Sequence, residues 1–206
     1  MLRESIITPH TTNEMGLAFL RVVRTLGRQS LRLLLAHWAG ETGWGKGMHN
    51  ENPGNKKSSG KAGDWTFFGC DENLTLARAE KLKAGALGNL VSIRKTWVGS
   101  DGVQWANVWF DAPHPYSRFE SFDSLDAGVS DYVSMMKRRF PKSWQVVLAG
   151  GTPKAFASAL KSEGYYTASV TAYTRLMTGV LAMVDSRGAE ALAMVERVKT
   201  ESVPLS

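Results

Sequence analysis

The sequence contains almost no cysteine, and this excludes two kinds of framework. Its single cysteine, Cys70, cannot form an intrachain disulfide or build a cysteine-based zinc site. The four histidines, His10, His37, His49 and His114, do not show the spacing of metal ligands. We therefore expect neither a metal site nor a cofactor.

Long apolar runs are also lacking. No uninterrupted apolar stretch approaches the roughly 20 residues that a membrane-spanning helix needs. The N-terminal stretch "MLRESIITPHTTNE" has no apolar core of the kind that a secretory signal requires. We expect a chain that is made without a cleavable signal and is not inserted into a membrane.

Dense basic clusters are absent too, although the chain is basic. Lysine and arginine outnumber aspartate and glutamate by 25 to 19, which gives a formal charge of +6 and favours an anionic partner. The basic residues are scattered, and no helix-turn-helix or zinc pattern accompanies them, so we expect no nucleic acid partner. The length of 206 residues predicts a single domain spanning 1–206.

Two helices are predicted in the N-terminal part, after an extension over residues 1–12. Apolar residues recur at helical spacing over 13–26, and Gly27 is placed to end that helix. Ser30 is placed to cap the next helix. The apolar stripe of this second helix consists of Leu31, Leu34, Leu35 and Trp38.

A small strand-bearing lobe is predicted over about 64–120. It follows a loop from Gly43 to about Gly63, in which Pro53 and Gly54 suit a turn. "DWTFFGC" predicts a strand, and "LTLARAEKLKAGALGNL" predicts an inserted helix. "VSIRKTW" and "QWANVWF" predict a β-hairpin around Asp101 and Gly102.

The C-terminal part is predicted to be helical. Apolar residues share one face from Leu125 to Met136, and Thr152 with Pro153 suits the start of another helix. A further helix is predicted over 173–184, and 187–206 is expected to form a weakly docked helix or to fray. The predicted fold class is α+β, mainly α, with a small β-hairpin lobe.

Glu41 falls on the apolar stripe of the second helix, directly before the glycine-rich loop. A carboxylate there is either an ion-paired core residue or a general acid whose pKa is raised by apolar neighbours. Glycosidic bond cleavage requires such an acid. His37 precedes Glu41 by one helical turn, and we favour a core histidine over an acid-base partner.

The glycine-rich stretch carries a resemblance to a known family. "AGETGWGKG" resembles the "A-x-E-S-G-W-G" signature of the peptidoglycan glucosaminidases of the flagellar-protein type, within the lysozyme-like superfamily. Thr42 replaces the commoner serine. "NENPGNKK", "YSRFESFDSLDAGVSDYVSMM" and "GYYTASVTAY" are similar to three later motifs of the family, in the same order. The resemblance implies a lysozyme-like helical domain whose β-hairpin lobe flanks a substrate cleft.

The resemblance also implies roles for individual residues. Glu41 corresponds to the catalytic acid, and Tyr165 and Tyr166 resemble the family's cleft tyrosine, which positions substrate or stabilises the transition state. We expect Tyr166 to act in catalysis, and whichever tyrosine lies outside the cleft to serve only packing. The expected substrate-binding residues are Trp44, Asn52, Asn55, Lys56, Tyr165 and Tyr173.

A second catalytic carboxylate is common in the family, but its usual "T-x-E" context has no clean match here. We prefer Glu72, in "WTFFGCDEN", because we expect it to follow a strand in the small lobe. A solvated loop acid is the alternative reading of Glu72. Asp71, Asp101 and Asp111 are its competitors for the catalytic role.

The expected activity is hydrolysis of the β-1,4 bonds of peptidoglycan glycan strands, as an N-acetylglucosaminidase. The alternatives are a lytic transglycosylase or muramidase on the same polymer, and a non-catalytic glycan-binding structural module. Because no signal is expected, action in the periplasm or cell wall would follow export, lysis or injection. A secretion apparatus, a phage particle or an immunity protein would then be a further partner.

Overall fold

The computed structural model describes residues 1–60, 63–99, 101–166 and 169–200. Eight α-helices and five β-strands lie within these ranges. This confirms the predicted α+β, mainly α class with a small β-hairpin lobe. Contacts between Cα atoms divide the chain into two compact units. We call Met1–Ile6 with Lys56–Ser121 the strand unit, and Ile7–Asn55 with Phe122–Ser206 the helical unit.

The first helix of the helical unit, α1, spans Thr12–Val22. A capping box starts it, because Thr11 and Glu14 each bond the backbone N–H of the other. The helix ends four residues before the predicted Leu26. The β-branched side chains of Val22 and Val23 favour extended backbone, and Val23 has left the helical conformation.

The second helix, α2, spans Arg28–Thr42. The prediction that Ser30 caps it is wrong, because the Leu31 N–H already bonds the Gly27 carbonyl and Ser30 lies buried inside the helix. Gly43 ends α2 in the left-handed conformation that glycine adopts most easily. The apolar stripe of α2 is almost fully buried, so this helix forms the centre of the main core.

Five helices complete this unit: α4 (Leu125–Arg139), α5 (Pro141–Leu148), α6 (Pro153–Ser162), α7 (Val170–Arg187) and α8 (Ala189–Thr200). The predicted start of α6 is confirmed, because Thr152 accepts a hydrogen bond from the Ala155 N–H and Pro153 follows it. Beyond Arg187 the chain continues as α8, whose Ala191 and Leu192 are fully buried.

The strand unit contains two antiparallel sheets. Strands β2 (Cys70–Thr75), β4 (Gln104–Phe110) and β3 (Val91–Val98) pair in the order β2-β4-β3, and helix α3 (Leu76–Lys83) packs on them. Strands β1 (Asp64–Phe67) and β5 (Arg118–Ser121) form the other sheet. The predicted β3-β4 hairpin is confirmed.

Two predictions for this unit are wrong. The inserted helix is shorter than expected, because residues 70–75 form β2. Glu72 therefore lies within a strand instead of following one, opposite Val108 of β4. Its neighbours Asp71 and Asn73 have low strand propensity, so pairing with β4 determines the conformation and no local pattern predicts it. Among the described residues, no helix is long and apolar enough to cross a membrane.

Candidate active site

Glu41 lies in the last turn of α2, one residue before the helix ends. Its side chain is 28% exposed, whereas nearly all of the preceding turn is buried. Glu41 thus lies on the apolar stripe of α2 at the point where the stripe reaches the edge of the core. Helix α2 supplies a rigid support, since it packs against several helices of the unit.

Three polar side chains interact with this carboxylate and a fourth contacts His37, and we call the five residues together the Glu41 cluster. His37, one turn earlier in α2, places Nε2 3.5 Å from Glu41 Oε1. Tyr173 of α7 donates from its hydroxyl to the same oxygen over 3.3 Å. Tyr165, between α6 and α7, also hydrogen-bonds Glu41, and Tyr132 of α4 contacts His37.

The imidazole of His37 is completely buried and held on both sides. Its Nδ1 shares a very short hydrogen bond with the Tyr132 hydroxyl. The Phe156 ring meets the imidazole edge-on at 5.4 Å between centroids, and the Tyr165 ring lies at 5.0 Å. The 3.5 Å from Nε2 to Glu41 is ion-pair range but longer than an ordinary hydrogen bond. His37 is thus fixed with Nε2 facing the carboxylate.

The pKa of Glu41 is lowered, which contradicts the raised value that the general-acid interpretation of the sequence predicts. Burial acts to raise the pKa, and it is the largest single influence. Hydrogen bonding and positive charge from His37 oppose it, as do hydrogen bonds from Tyr173 and Tyr165, and together they prevail. Burial among apolar neighbours therefore does not by itself determine the pKa of Glu41. The acid also faces His37, which acts to lower the Glu41 pKa.

The tyrosines of the cluster stay protonated, and Tyr173 and Tyr165 serve as donors to Glu41. Burial raises the pKa of Tyr165 and of Tyr132 well above the ordinary value, and the negative charge of Glu41 raises them further. The same two causes raise the pKa of Tyr173. A carboxylate surrounded by such hydroxyls is stabilised without being neutralised.

The loop after Glu41 is attached to the end of α2 by side chains. The Thr42 hydroxyl donates to the Trp38 carbonyl over 2.7 Å and accepts from the Gly45 N–H over 2.9 Å. Asn55 donates from its amide to the backbone carbonyl of Glu41 over 3.1 Å. Thr42 performs a role open to any hydroxyl, so a serine at this position would make the same two hydrogen bonds.

Backbone strain is concentrated in this same loop. Among the described residues, the non-glycine residues with left-handed φ are Trp44, Asn50, Glu51 and Asn55. Such conformations cost on the order of 1 kcal/mol or more each and collect at functional sites. The loop also fits tightly on α4, since a Cβ on Gly128 would lie 1.8 Å from the Glu51 carbonyl oxygen.

Other predicted substrate-binding residues lie elsewhere in the two units. Trp44 packs under the Arg187 guanidinium, 4.3 Å from the ring centroid, and lines a cavity of about 340 Å³ with His10. Asn52 is buried. Lys56 belongs to the strand unit and pairs with Glu120 at 2.8 Å.

Tyr166, the predicted catalytic tyrosine, packs against a member of the Glu41 cluster. Its hydroxyl donates to the Ala157 carbonyl over 2.8 Å, and its ring stacks on that of Tyr173 at 4.2 Å. The structure brings Tyr165 and Tyr173 to Glu41, both of which the sequence assigned to substrate binding.

Glu72 lies in the strand unit, where Lys57 pairs with its carboxylate at 2.9 Å. The carboxylates that compete with Glu72 for the catalytic role also have hydrogen-bond or ion-pair partners. Asp71 contacts Arg94 at 3.3 Å, Asp101 accepts from the Val103 N–H in the hairpin turn, and Asp111 accepts from the Trp109 indole.

Sequence reasoning missed three contributors to the site. Tyr132 fits the apolar face of α4, so no signal distinguished it from core packing. Thr42 was noted only as a departure from the family signature. His37 was placed in the core, and the i, i+4 spacing to Glu41 was the signal that could have assigned it to the site.

Comparisons with protein-family models, with curated proteins and with solved structures find no match for this chain. Among the described residues, no group of three or more histidine, cysteine, aspartate or glutamate side chains is arranged to hold a metal ion.

Proposed function

We propose that this protein is a peptidoglycan hydrolase that cleaves β-1,4 glycosidic bonds of glycan strands, acting as an N-acetylglucosaminidase with Glu41 as general acid. The observation that carries the proposal is the Glu41 cluster: a partly exposed carboxylate at a buried helix end, flanked by His37 and two tyrosine hydroxyls. The likeness of "AGETGWGKG" to the glucosaminidase signature supplies the substrate class.

The lowered pKa of Glu41 determines how the proton would be supplied. With its pKa lowered, Glu41 has to receive a proton before it can act as general acid. His37 Nε2 lies 3.5 Å from Glu41 Oε1, so a proton passed across this contact would leave Glu41 protonated and ready to donate to the leaving oxygen. Burial, the largest influence on the pKa of Glu41, favours the protonated carboxyl.

The other half of the reaction needs a nucleophile. Glu72 is the carboxylate proposed to activate water or stabilise the oxocarbenium-like state, and the N-acetyl group of the substrate is the alternative. Tyr173 and Tyr165 would hold the acid in position, since both bond it directly.

One observation favours a second candidate, a lytic transglycosylase. Glu72 is engaged by Lys57 at 2.9 Å, which suits a mechanism where Glu41 is the sole catalytic carboxylate. In that reaction the 6-hydroxyl of the muramyl sugar displaces the leaving group. The products then carry anhydro ends in place of new reducing ends.

Digestion of purified peptidoglycan tests both candidates. Mass spectrometry of the released muropeptides should show new N-acetylglucosamine reducing ends with the wild-type chain. Glu41→Gln should reduce product release by roughly 10²- to 10⁴-fold, because the amide has the same shape but cannot donate the proton. Anhydro ends would support the transglycosylase. Full activity of a folded Glu41→Gln chain would exclude both.

A further inference from the structure

A second cavity lies wholly within the strand unit. Its volume is about 710 Å³, within the range of pockets that hold small ligands. Helix α3 and the turn after it form one wall, and residues 114–116 form the other. The lining residues that matter for its chemistry are Arg78, Lys81, Leu82, Leu87, His114 and Tyr116.

The titratable side chains of this wall offer hydrogen-bond donors. Arg78 and Lys81 are exposed cations one turn apart on α3, and Lys81 has no hydrogen-bond or ion-pair partner among the described residues. Arg78 donates to the Tyr116 hydroxyl, which leaves the Tyr116 proton directed to another acceptor. No carboxylate lines the described part of the cavity.

His114 adds a donor from a side chain that is almost completely buried and lines the cavity. Its side chain is 4% exposed and lies flat against Phe110, with ring centroids 4.6 Å apart. Burial lowers its pKa, so the ring is neutral. Its Nδ1 accepts from the Tyr116 backbone N–H over 3.1 Å, so the ring proton lies on Nε2. Within the described ranges, no protein acceptor bonds this Nε2–H.

Two features of the cavity together limit the ligand. Because the lining offers hydrogen-bond donors and no carboxylate, it favours a ligand whose polar groups accept hydrogen bonds, as carboxylates do. Leu82, Leu87, Ala86 and Pro115 form an apolar surface between these donors, which favours small apolar side chains beside the carboxylates.

We propose that this cavity binds a short acidic peptide, with its carboxylates at Arg78, Lys81 and His114 and its methyl side chains against Leu82 and Leu87. The stem peptide of peptidoglycan has this composition, with free carboxylates and several alanines. Its identification as the occupant rests on the proposed function. The cavity would then hold the peptide branch of the substrate whose glycan the Glu41 cluster cleaves.

Binding of a synthetic stem pentapeptide, Nα-acetyl-L-Ala-γ-D-Glu-Nε-acetyl-L-Lys-D-Ala-D-Ala, whose two carboxylates are its only charged groups, tests this. Calorimetry and NMR are carried out on the full chain, with the His114 Nε2–H resonance as the local probe. The free acid should bind and shift that resonance, whereas the peptide with both carboxylates amidated should bind at least about tenfold more weakly, because hydrogen bonds between charged groups are lost. Lys81→Met and Arg78→Gln should each weaken binding of the free acid by about tenfold.

Lys95→Met is the matched control, since Lys95 is an exposed lysine of the same unit, on β3 and outside the cavity lining. It should bind the peptide as the wild type does. Absence of binding, equal binding of the amidated peptide, or equal losses in Lys81→Met and Lys95→Met would overturn the proposal. Inorganic phosphate that competes fully at equal concentration would show a phosphate site instead.

The peptide-binding experiment tests the cavity independently of glycan cleavage, because the pentapeptide contains no glycosidic bond. Sacculi cut by a chain that does not bind the peptide would refute only the peptide site. Peptide binding by a chain that cuts no sacculi would support the cavity and refute the hydrolase.

Discussion

Gly128 of α4 offers a direct test of how tightly the loop after Glu41 is held. A Cβ at this position would lie 1.8 Å from the Glu51 carbonyl oxygen, so Gly128→Ala must push the two apart until the contact reaches at least 3.0 Å. Overpacking of this kind costs about 1–3 kcal/mol, and backbone cannot move as a side chain can, so we expect the upper end. Replacing a helical glycine by alanine returns about 0.5–1 kcal/mol.

The net loss expected for Gly128→Ala is about 2 kcal/mol, or roughly 4–8 °C in Tm for a chain of this size. Gly179, in the middle of α7, is the matched control because nothing lies within 4 Å of its Cβ position. Gly179→Ala should raise Tm by about 1–4 °C. Thermal unfolding followed by circular dichroism measures both. Equal Tm values for the two variants would refute the close approach of α4 to this loop.

Three further predictions concern the proposed chemistry. Because the folded-state pKa of Glu41 is lowered, its stabilising contribution is present above the ordinary carboxylate pKa and is lost as pH falls through the lowered value. In denaturant titrations, the free energy of unfolding of wild type relative to Glu41→Gln should therefore fall as pH drops below about 4.5, the ordinary carboxylate value, and a constant difference would contradict the lowered pKa. Tyr173→Phe removes a hydroxyl that bonds Glu41, so it should raise the Glu41 pKa and shift the pH profile of activity upward. Tyr166→Phe removes a hydroxyl that bonds the Ala157 carbonyl, so it should leave the pH profile unchanged and lower the free energy of unfolding by about 1 kcal/mol. Glu72→Gln should lower kcat by a large factor with little change in KM, while Asp101→Asn keeps the wild-type rate; equal rates for both would favour Glu41 as the sole catalytic carboxylate.

Elements with local signals were predictable from the sequence. Thr152 and Pro153 supply a cap and a first-turn proline, and Asp101 with Gly102 supplies the hairpin turn, so each fixes its backbone without help from distant residues. Strand β2 was not predictable, because "CDENLT" becomes a strand only through pairing with β4. Ser30 was misread because a cap residue inside a helix looks the same in sequence as one at its start.

The candidate site, too, could be predicted from the sequence only in part. The position of Glu41 follows from the period of α2, which the sequence shows directly. Its surroundings do not, since Tyr132, Tyr165 and Tyr173 come from separate parts of the chain and meet Glu41 and His37 only after folding. Hence the sequence indicates the carboxylate, whereas the contacts that lower its pKa form only on folding.

The position of Glu41 is itself an argument for function. Burial disfavours its charge, and so does the negative end of the α2 dipole, because Glu41 lies in the last turn of that helix. A buried histidine and two tyrosine hydroxyls are needed to hold the charge there. A glutamine would fill the same space without these supports, and the packing of α2 places no demand on a carboxylate at its end. Residues that break a local rule and require such compensation are expected at functional sites. The arrangement fits the role in proton transfer that we propose for Glu41.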